Sequence, residues 1–370
     1  MVDERPRTDP LDGDAGATGP VPADPMRVAA IVVTYDSVHE LPGCLAGLAA
    51  QRYPALEVVI IDNASTDGTR RLLAEVDTDH LVRVQLNATN RGFSGGVNDG
   101  LALLSDDVDA VLLINPDVEP PPELVAQLVA ALASDPSIGS VQPTLHRPVA
   151  GPSGAAIIDS CGHEITTARL LRNRGEGEEQ HGQYDRRAEV FGTSGACALH
   201  RRAMLDDVAW RHPDGRRETL TEDLVAYFDD IELDWRARCR GWRAIHEPAV
   251  TAIHERGGAG PRRTSWVEAL NWSNRLLVLA TCDQPRPREL PLLVVTTALK
   301  TAELAITVPR ALPTALARLR LLPAARRRRG QLLARATVAP RTVVQRWVVP
   351  FRWRPWVRTW WRRVRGRPPG

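Results

Sequence analysis

Near-continuous apolar runs alternate along the chain with amphipathic stretches. RVAAIVVTY (27–35), LEVVIID (56–62), LVRVQL (81–86), DAVLLIN (109–115) and IGSVQP (138–143) have the unbroken hydrophobicity of strands buried on both faces. Between them the pattern predicts helices. One is opened by a Ser37-x-x-Glu40 capping box and runs to about Gln51. Others lie in 65–76 and 94–104, and one runs from Pro120–Pro122 to about Ala133. This alternation implies an α/β fold: a Rossmann-like, mostly parallel central sheet flanked by helices. Such sheets bind ligands beyond the carboxyl ends of their strands. The residues following each strand (Thr34, Tyr35 and Asp36; Asp62–Ser65; Asn90–Asn98; Asn115–Asp117) are therefore expected along one rim.

The region 150–260 is less regular. Residues 172–188 read as a polar loop, and 189–202 as a strand with a glycine bend. Residues 227–242 read as an acidic approach to a helix ending near Gly241, and 244–255 as two short strands about a turn at Pro248. Helices are expected over 265–282 and 290–308. Lys300 and Glu303 interrupt the second, making it a poor membrane span and a better buried or interfacial helix. The boundaries that follow are a leader (1–25), two halves of the α/β region (26–150 and 151–262), a helical region (263–310) and an Arg/Trp-rich basic tail (311–370).

Of the 370 residues 43% are apolar and 25% charged, which excludes a wholly disordered chain, a collagen or a disulfide scaffold. Five scattered cysteines with no CxxC pair read as reduced, cytosolic thiols without zinc-ligand spacing. The leader is rich in Pro, Gly and Asp and reads as disordered, with no signal peptide. The net charge of +2 conceals an asymmetry. Residues 310–370 hold 17 Arg and no acid, so residues 1–309 hold 30 basic and 45 acidic side chains. An acidic body with a basic tail seeks an anionic partner, lipid or nucleic acid.

Several rim residues have chemistry open to two readings. Asp62 can accept hydrogen bonds from a base or ribose, or end its strand in an Asx-turn. Asn90 and Arg91 precede a glycine-rich helix start suited to nucleotide contacts. The spacing of Gly92, Gly95 and Gly96 fits neither GxGxxG nor a Walker loop. Asn115-Pro116-Asp117 is a turn on its own account. His254, with His246 ranked second, is structural or a metal ligand. Asp229, Asp230, Glu232 and Asp234 place four acids in six residues, more than a helix dipole needs. Small residues at Gly195 and Ala196 let backbone approach a ligand or bend a core strand.

Taken in order, IVVTYDS (31–37), VIIDNASTDGT (59–69), NRGFSGGVNDGL (90–101), LLINPDV (112–118), GTSGACALHRRAML (192–205), YFDDIELDWRARCRGW (227–242) and AVTAIHERGG (249–258) resemble a family 2 glycosyltransferase of the GT-A type, in its bacterial rhamnosyltransferase-like group. The resemblance implies an inverting, metal-dependent hexosyltransferase. It assigns Thr34, Tyr35, Asp36, Asp62, Asn90, Arg91 and Asn115 to the nucleotide-sugar donor. Asp117 and His254 would hold Mg²⁺ or Mn²⁺ against the diphosphate. Asn115 stands where a DxD motif has its first acid, which lowers the charge of that site. Asp230 falls on the catalytic base, its pKa expected to rise beside like charges. Asp229, Glu232, Gly195 and Ala196 fall to the acceptor, with Glu222 and Asp223 as a weaker pair. The donor implied is dTDP-rhamnose, and the acceptor a glycolipid or cell-envelope glycan.

Five of the ten Trp fall between Trp347 and Trp361, interleaved with Arg. That composition suits an anionic membrane surface, with rings at head-group level, and favours it over nucleic acid. The expected location is cytoplasmic, at the inner face of the plasma membrane. The competing class is a non-catalytic protein: an inactive glycosyltransferase fold, or a nucleic-acid binder led by its tail.

Overall fold

The structure is a computed structural model and describes residues 25–76, 81–256 and 264–364. The leader up to residue 24, the end of the 249–258 segment and residues 365–370 lie outside the described residues.

The apolar runs form the expected strands. β1 (Val28–Thr34), β2 (Leu56–Asp62), β3 (Leu81–Leu86) and β4 (Ala110–Ile114) pair in parallel in the order β3-β2-β1-β4. Helices α1 (Leu41–Ala49), α2 (Thr69–Ala74), α3 (Gly92–Ala102) and α4 (Leu124–Ala133) connect and flank them. Every residue of β1 and β4 is buried, as their uniform hydrophobicity requires. One apolar cluster lies on each side of the sheet. α1 and α4 pack in the first through Leu41, Leu48 and Leu128, and α3 packs in the second through Val97.

The rest of the sheet is mixed. β5 (Val118–Glu119), β6 (Ile138–Ala150), β7 (Ala156–Ser160), β10 (Ala188–Val190), β11 (Cys197–Arg201) and β14 (Arg243–His254) extend it beyond β4 in the order β4-β11-β6-β14-β10. β11 is antiparallel to both neighbours, and β14 parallel to β6. β8 (His163–Thr166) and β9 (Leu171–Asn173) form a separate small sheet, and β12 (Trp210–Arg211) and β13 (Arg217–Glu218) a hairpin.

Four local expectations are corrected. The capping box does not form: α1 begins at Leu41, the Ser37 N–H donates to the Thr69 hydroxyl, and the Ser37 hydroxyl donates to the Tyr35 carbonyl. Residues 172–188 include β9 and fold back on β7 through an Ile157–Glu179 bridge. The acids at 229–234 do not precede a helix but open α6 (Asp229–Cys239). Residues 244–255 are one strand, β14, whose register on β6 shifts between Glu247 and Thr251; Pro248, with no N–H to give, sits in that shift.

The Arg-rich C-terminal segment is folded. α5 (Arg202–Val208) and α6 are followed by α7 (Ser265–Cys282), α8 (Leu290–Thr307), α9 (Leu312–Ala317), α10 (Leu322–Arg335) and α11 (Pro340–Trp347). The last described elements are β15 (Val348–Val349), which pairs with β8, and α12 (Trp353–Val364). Ala325, Leu332, Val343 and Val344 of α10 and α11 are buried with Trp235 of α6 and Leu277 of α7 in a third apolar cluster.

Candidate active site

Register places the rim. Thr34 lies opposite Asp62 at the ends of β1 and β2, and His254, at the end of β14, lies opposite Val118. Above these ends opens a cleft of about 2470 Å³. Of the residues expected at the site, Thr34, Tyr35, Asn90, Arg91, Asn115, Asp117, Gly195, Ala196, Asp229, Asp230 and His254 line it. Asp117 and Asp230, from opposite halves of the chain, therefore share one hollow.

Asp62, Asp36 and Glu232 do not line it. Asp62 is fully buried; one oxygen accepts from Arg70 Nε at 2.7 Å and from the Ser65 N–H, while the other has no partner. An unpaired buried carboxylate oxygen is costly, and here it lies beneath the rim, not on the cleft surface. Asp36 accepts from the Thr66 N–H at 2.6 Å, tying the loop after β1 to the loop after β2. Glu232 is buried against Arg236 at 3.1 Å and the Thr221 hydroxyl at 2.8 Å. It sits about 200° around the helix from Asp230, since each residue turns about 100°. Glu222 pairs with Arg91 and Arg216, and Asp223 with Arg328; neither lines the cleft.

On the donor side, Arg91 is held by Asp99 and Glu222, and Asn90 Oδ1 accepts from the Gly92 N–H. Asn63 also lines the cleft; its amide donates to the Gly92 carbonyl at 2.8 Å, docking the start of α3 onto the end of β2. Gly92 has φ +71°, and a Cβ there would meet the Val225 carbonyl at 2.5 Å.

Asp117 Oδ1 stands 3.3 Å from His254 Nε2, and His254 Nδ1 stands 2.8 Å from Asp159 Oδ2. Burial would lower the pKa of His254, but the two carboxylates outweigh it and raise it. Asp159, which Arg256 also engages, is held below the usual carboxylate range: burial opposes this, and His254 and Arg256 prevail. His246, the second-ranked histidine, is buried away from the cleft against the Thr144 hydroxyl at 2.9 Å, and burial pushes its pKa down to about 3.

On the opposite wall, Asp230 Oδ2 accepts from the Gly195 N–H at 3.0 Å and lies 3.4 Å from His163 Nε2; Oδ1 accepts from the Ile231 N–H. His163 Nδ1 lies 2.8 Å from Asp234, which also accepts from the Thr193 N–H. The expected rise in the pKa of Asp230 is not found: burial raises it, His163 lowers it further, and the net shift is downward. The raised groups are its neighbours: Asp229, through burial first and the Asp230 charge second, and Asp234, which burial pushes up to about 6 against the pull of His163. Nothing in the sequence singled out His163 or Asp159, whose partners lie 71 and 95 residues away.

The divalent cation can be tested on this donor set. Among the described residues no three His, Cys, Asp or Glu side chains cluster as a complete metal site. Asp117 and His254 supply one carboxylate and one imidazole, with Asp159 behind the imidazole orienting Nε2. Two protein groups fit a cation whose remaining ligands are substrate phosphates and water.

A model of glycosyl transferase family 2 matches residues 29–209, the segment from β1 to α5 that supplies Asp117, His163 and Gly195 to this cleft. The chain is similar to the N-acetylglucosaminyl-diphospho-decaprenol L-rhamnosyltransferase of Mycobacterium tuberculosis, 25% identical over 61% of this chain and 75% of that protein. In fold it is similar to GalNAc-T7, solved with UDP, GalNAc and Mn²⁺ (TM-score 0.60, 12% identity, 87% of this chain and 56% of that one). It is also similar to residues 1–349 of S. aureus TarS (TM-score 0.50, 16% identity, 83% and 89%). The fold is GT-A, residues 29–209 form a family 2 glycosyltransferase domain, and the chain resembles the rhamnosyltransferases.

Proposed function

We propose that the protein moves a sugar, L-rhamnose from dTDP-rhamnose as the best reading, onto a hydroxyl of a lipid-linked or cell-envelope glycan with inversion at the anomeric carbon. The observation carrying this is that Asp117, His254 and Asp230 line one cleft. Asn90, Arg91 and Asn63 offer the donor's nucleotide its polar contacts, with Asp62 buried beneath them. Asp117 and His254 would hold Mg²⁺ or Mn²⁺, which supplies charge neutralisation to a departing diphosphate. Asp230, held as a carboxylate, takes the acceptor hydroxyl's proton as the new glycosidic bond forms and the donor's C–O bond breaks. Gly195 and Ala196, with no bulk beyond Cβ, leave room for the acceptor beside it.

A peripheral position at the inner face of the plasma membrane accords with α8 and α12. Pro287–Thr307 is long and apolar enough to cross a bilayer, against the expectation of a poor span, and only 17% of its most apolar stretch is buried, so it is not a core helix. Lys300, Glu303 and Leu304 face the cleft, while Leu290, Val294, Val295 and Ile306 are exposed. Likewise α12 turns Trp356 and Trp360 to the cleft and exposes Trp353, Val357 and Trp361. A wall with an amphipathic inner face, Lys300 and Glu303 beside Trp356 and Trp360, and an apolar outer face would let a lipid-borne sugar enter the cleft while its tail stays in the bilayer. The nucleic-acid reading is weakened because Arg318, Arg328 and Arg335 are engaged by internal carbonyls and carboxylates.

Transfer of radiolabelled rhamnose from dTDP-rhamnose to N-acetylglucosaminyl-diphospholipid, with Mn²⁺ or Mg²⁺, tests this. Asp230→Asn is expected to lower transfer at least about 100-fold while donor binding persists. Wild-type transfer by Asp230→Asn would reject the assignment.

A further inference from the structure

We infer that His163 is a positioning residue for Asp230: an imidazole buried in the cleft wall, clamped by Asp234, that holds the Asp230 carboxylate in its acceptor-facing place. This rests on the reading of Asp230 as the base.

The imidazole sits between two carboxylates at the floor of the cleft. His163 is 3% exposed and Asp234 4%, whereas Asp230 is 25% exposed; His163 and Asp230 both line the cleft. One ring nitrogen meets Asp234 at 2.8 Å and the other points to Asp230 at 3.4 Å. The backbone is built around the same carboxylates. The His163 N–H donates to the Gly192 carbonyl, the Thr193 N–H to Asp234 and the Gly195 N–H to Asp230. At Gly192 a Cβ would stand 1.8 Å from Asp234 Oδ2, so the bend fits tightly on that side chain. Asp230 and Asp234 are one helical turn apart, and the imidazole spans them.

Charge supplies the reason for a histidine here. α6 presents Asp229, Asp230 and Asp234 to this pocket; Glu232 is neutralised by Arg236. From β11, His200 is buried without partners, its pKa pushed down to about 4 by burial, so it brings no charge at neutral pH. Arg238 approaches Asp234 but is engaged by Glu189 and the carbonyls of Val190 and Phe191. His163 remains to balance Asp230 and Asp234. Burial lowers its pKa, the two acids outweigh that, and the result is about 10. Two adjacent buried acids do not both ionise freely. An imidazolium touching Asp230 and not Asp229 leaves the proton on Asp229, whose pKa is raised. Without His163 the pair would share that proton, and Asp230 would be uncharged for part of the time at neutral pH.

The test is His163→Gln in the full-length protein, which keeps a hydrogen-bonding amide and removes the charge. With the rhamnosyl donor and acceptor named above, kcat is expected to fall about tenfold. The donor KM should stay within about twofold, and the acid limb of kcat/KM should move up by about one pH unit. Asp234→Asn, which frees the far side of the ring, should move both in the same direction. Should His163→Gln fail to fold, Asp234→Asn carries the measurement. An unchanged acid limb and kcat in the folded variant, with only a lowered melting temperature, would overturn the inference and leave a structural stitch between β8 and α6. A second readout needs no turnover. Side-chain ¹⁵N spectra of the histidines should show His163 protonated at both nitrogens to about pH 9 in wild type and losing a proton at lower pH in Asp230→Asn. A wild type that transfers no sugar refutes the function proposed above; a His163 that titrates near 6.5 in these spectra refutes this inference instead.

Discussion

At the scale of single residues, the acceptor wall depends on what a side chain must not be. Gly192 has no room for a methyl group: Asp234 Oδ2 and Cγ would lie 1.8 and 2.0 Å from it. Gly192→Ala is therefore expected to cost about 1–3 kcal/mol, the usual range for forcing volume into a packed interior. It should also push Asp234 off His163, and urea unfolding monitored by tryptophan fluorescence reads the first effect. A midpoint equal to wild type would mean the 191–196 bend is softer than its contacts imply. The same scale separates what was legible from what was not. Asp117, Asp230 and His254 stand in motifs whose order survives in the linear sequence, and they meet in the cleft. Glu232 shares its motif with Asp230 but not its helical face, a distinction that needs the helix to start at Asp229. Asp159 and His163 lie in β7 and β8, short strands in a stretch the sequence pattern left unassigned, and their work is defined entirely by partners distant in sequence.

At the scale of elements, the critical join is the one feeding α6. Val225, Tyr227 and Phe228 all have φ near +66°, a conformation that costs a non-glycine residue about 1 kcal/mol or more each. What holds them is Asn274 of α7, whose amide nitrogen lies within 2.9 Å of the carbonyls of Leu224, Ala226 and Tyr227. Arg318 holds Asn274 in turn, at 2.8 Å, and also reaches the Asp223 carbonyl. The strained loop is thus pinned from behind by two helices, and it delivers Asp229 and Asp230 to the cleft. Asn274→Ala should cost about 2–4 kcal/mol through the lost hydrogen bonds to buried carbonyls. It should reduce kcat more than donor binding, because donor contacts come from the other wall. Equilibrium unfolding alongside donor titration by calorimetry checks both, and a stable variant with wild-type kcat would show that the loop holds itself. The parallel half of the sheet was readable because buried parallel strands are uniformly apolar. This loop was not, since its geometry is imposed by a helix almost 50 residues further on.

At the scale of the whole molecule, the segment after Arg310 combines two roles that composition alone blends into one. Its arginines suggested an appended tail, yet α10 and α11 complete the apolar cluster that supports α6. Arg328 pairs with Asp223 at 2.7 Å, and Arg335 reaches the Ala209 carbonyl. Beyond Phe351, whose N–H donates to the Thr167 hydroxyl, α12 adds an outer face carrying exposed Trp353 and Trp361 beside the exposed valines of α8. Two truncations separate these roles. A chain ending at Arg310 strips Ala325, Leu332, Val343 and Val344 from the core, and it is expected to aggregate rather than lose an anchor cleanly. A chain ending at Arg352 keeps β15 and the third cluster, and should melt within a few degrees of full length. On vesicles rich in phosphatidylglycerol the full chain should float. The chain ending at Arg352 and the Val294→Glu/Val295→Glu double variant should float several-fold less, and 0.5 M salt should weaken the full chain's binding by screening the contribution of about 1 kcal/mol per arginine near the surface. Equal flotation of full chain and chain ending at Arg352, or flotation on neutral vesicles undiminished by salt, would remove the basic helix from the membrane contact. Loss of flotation together with loss of a dimer in light scattering would instead assign the apolar face of α8 to a second copy of the chain.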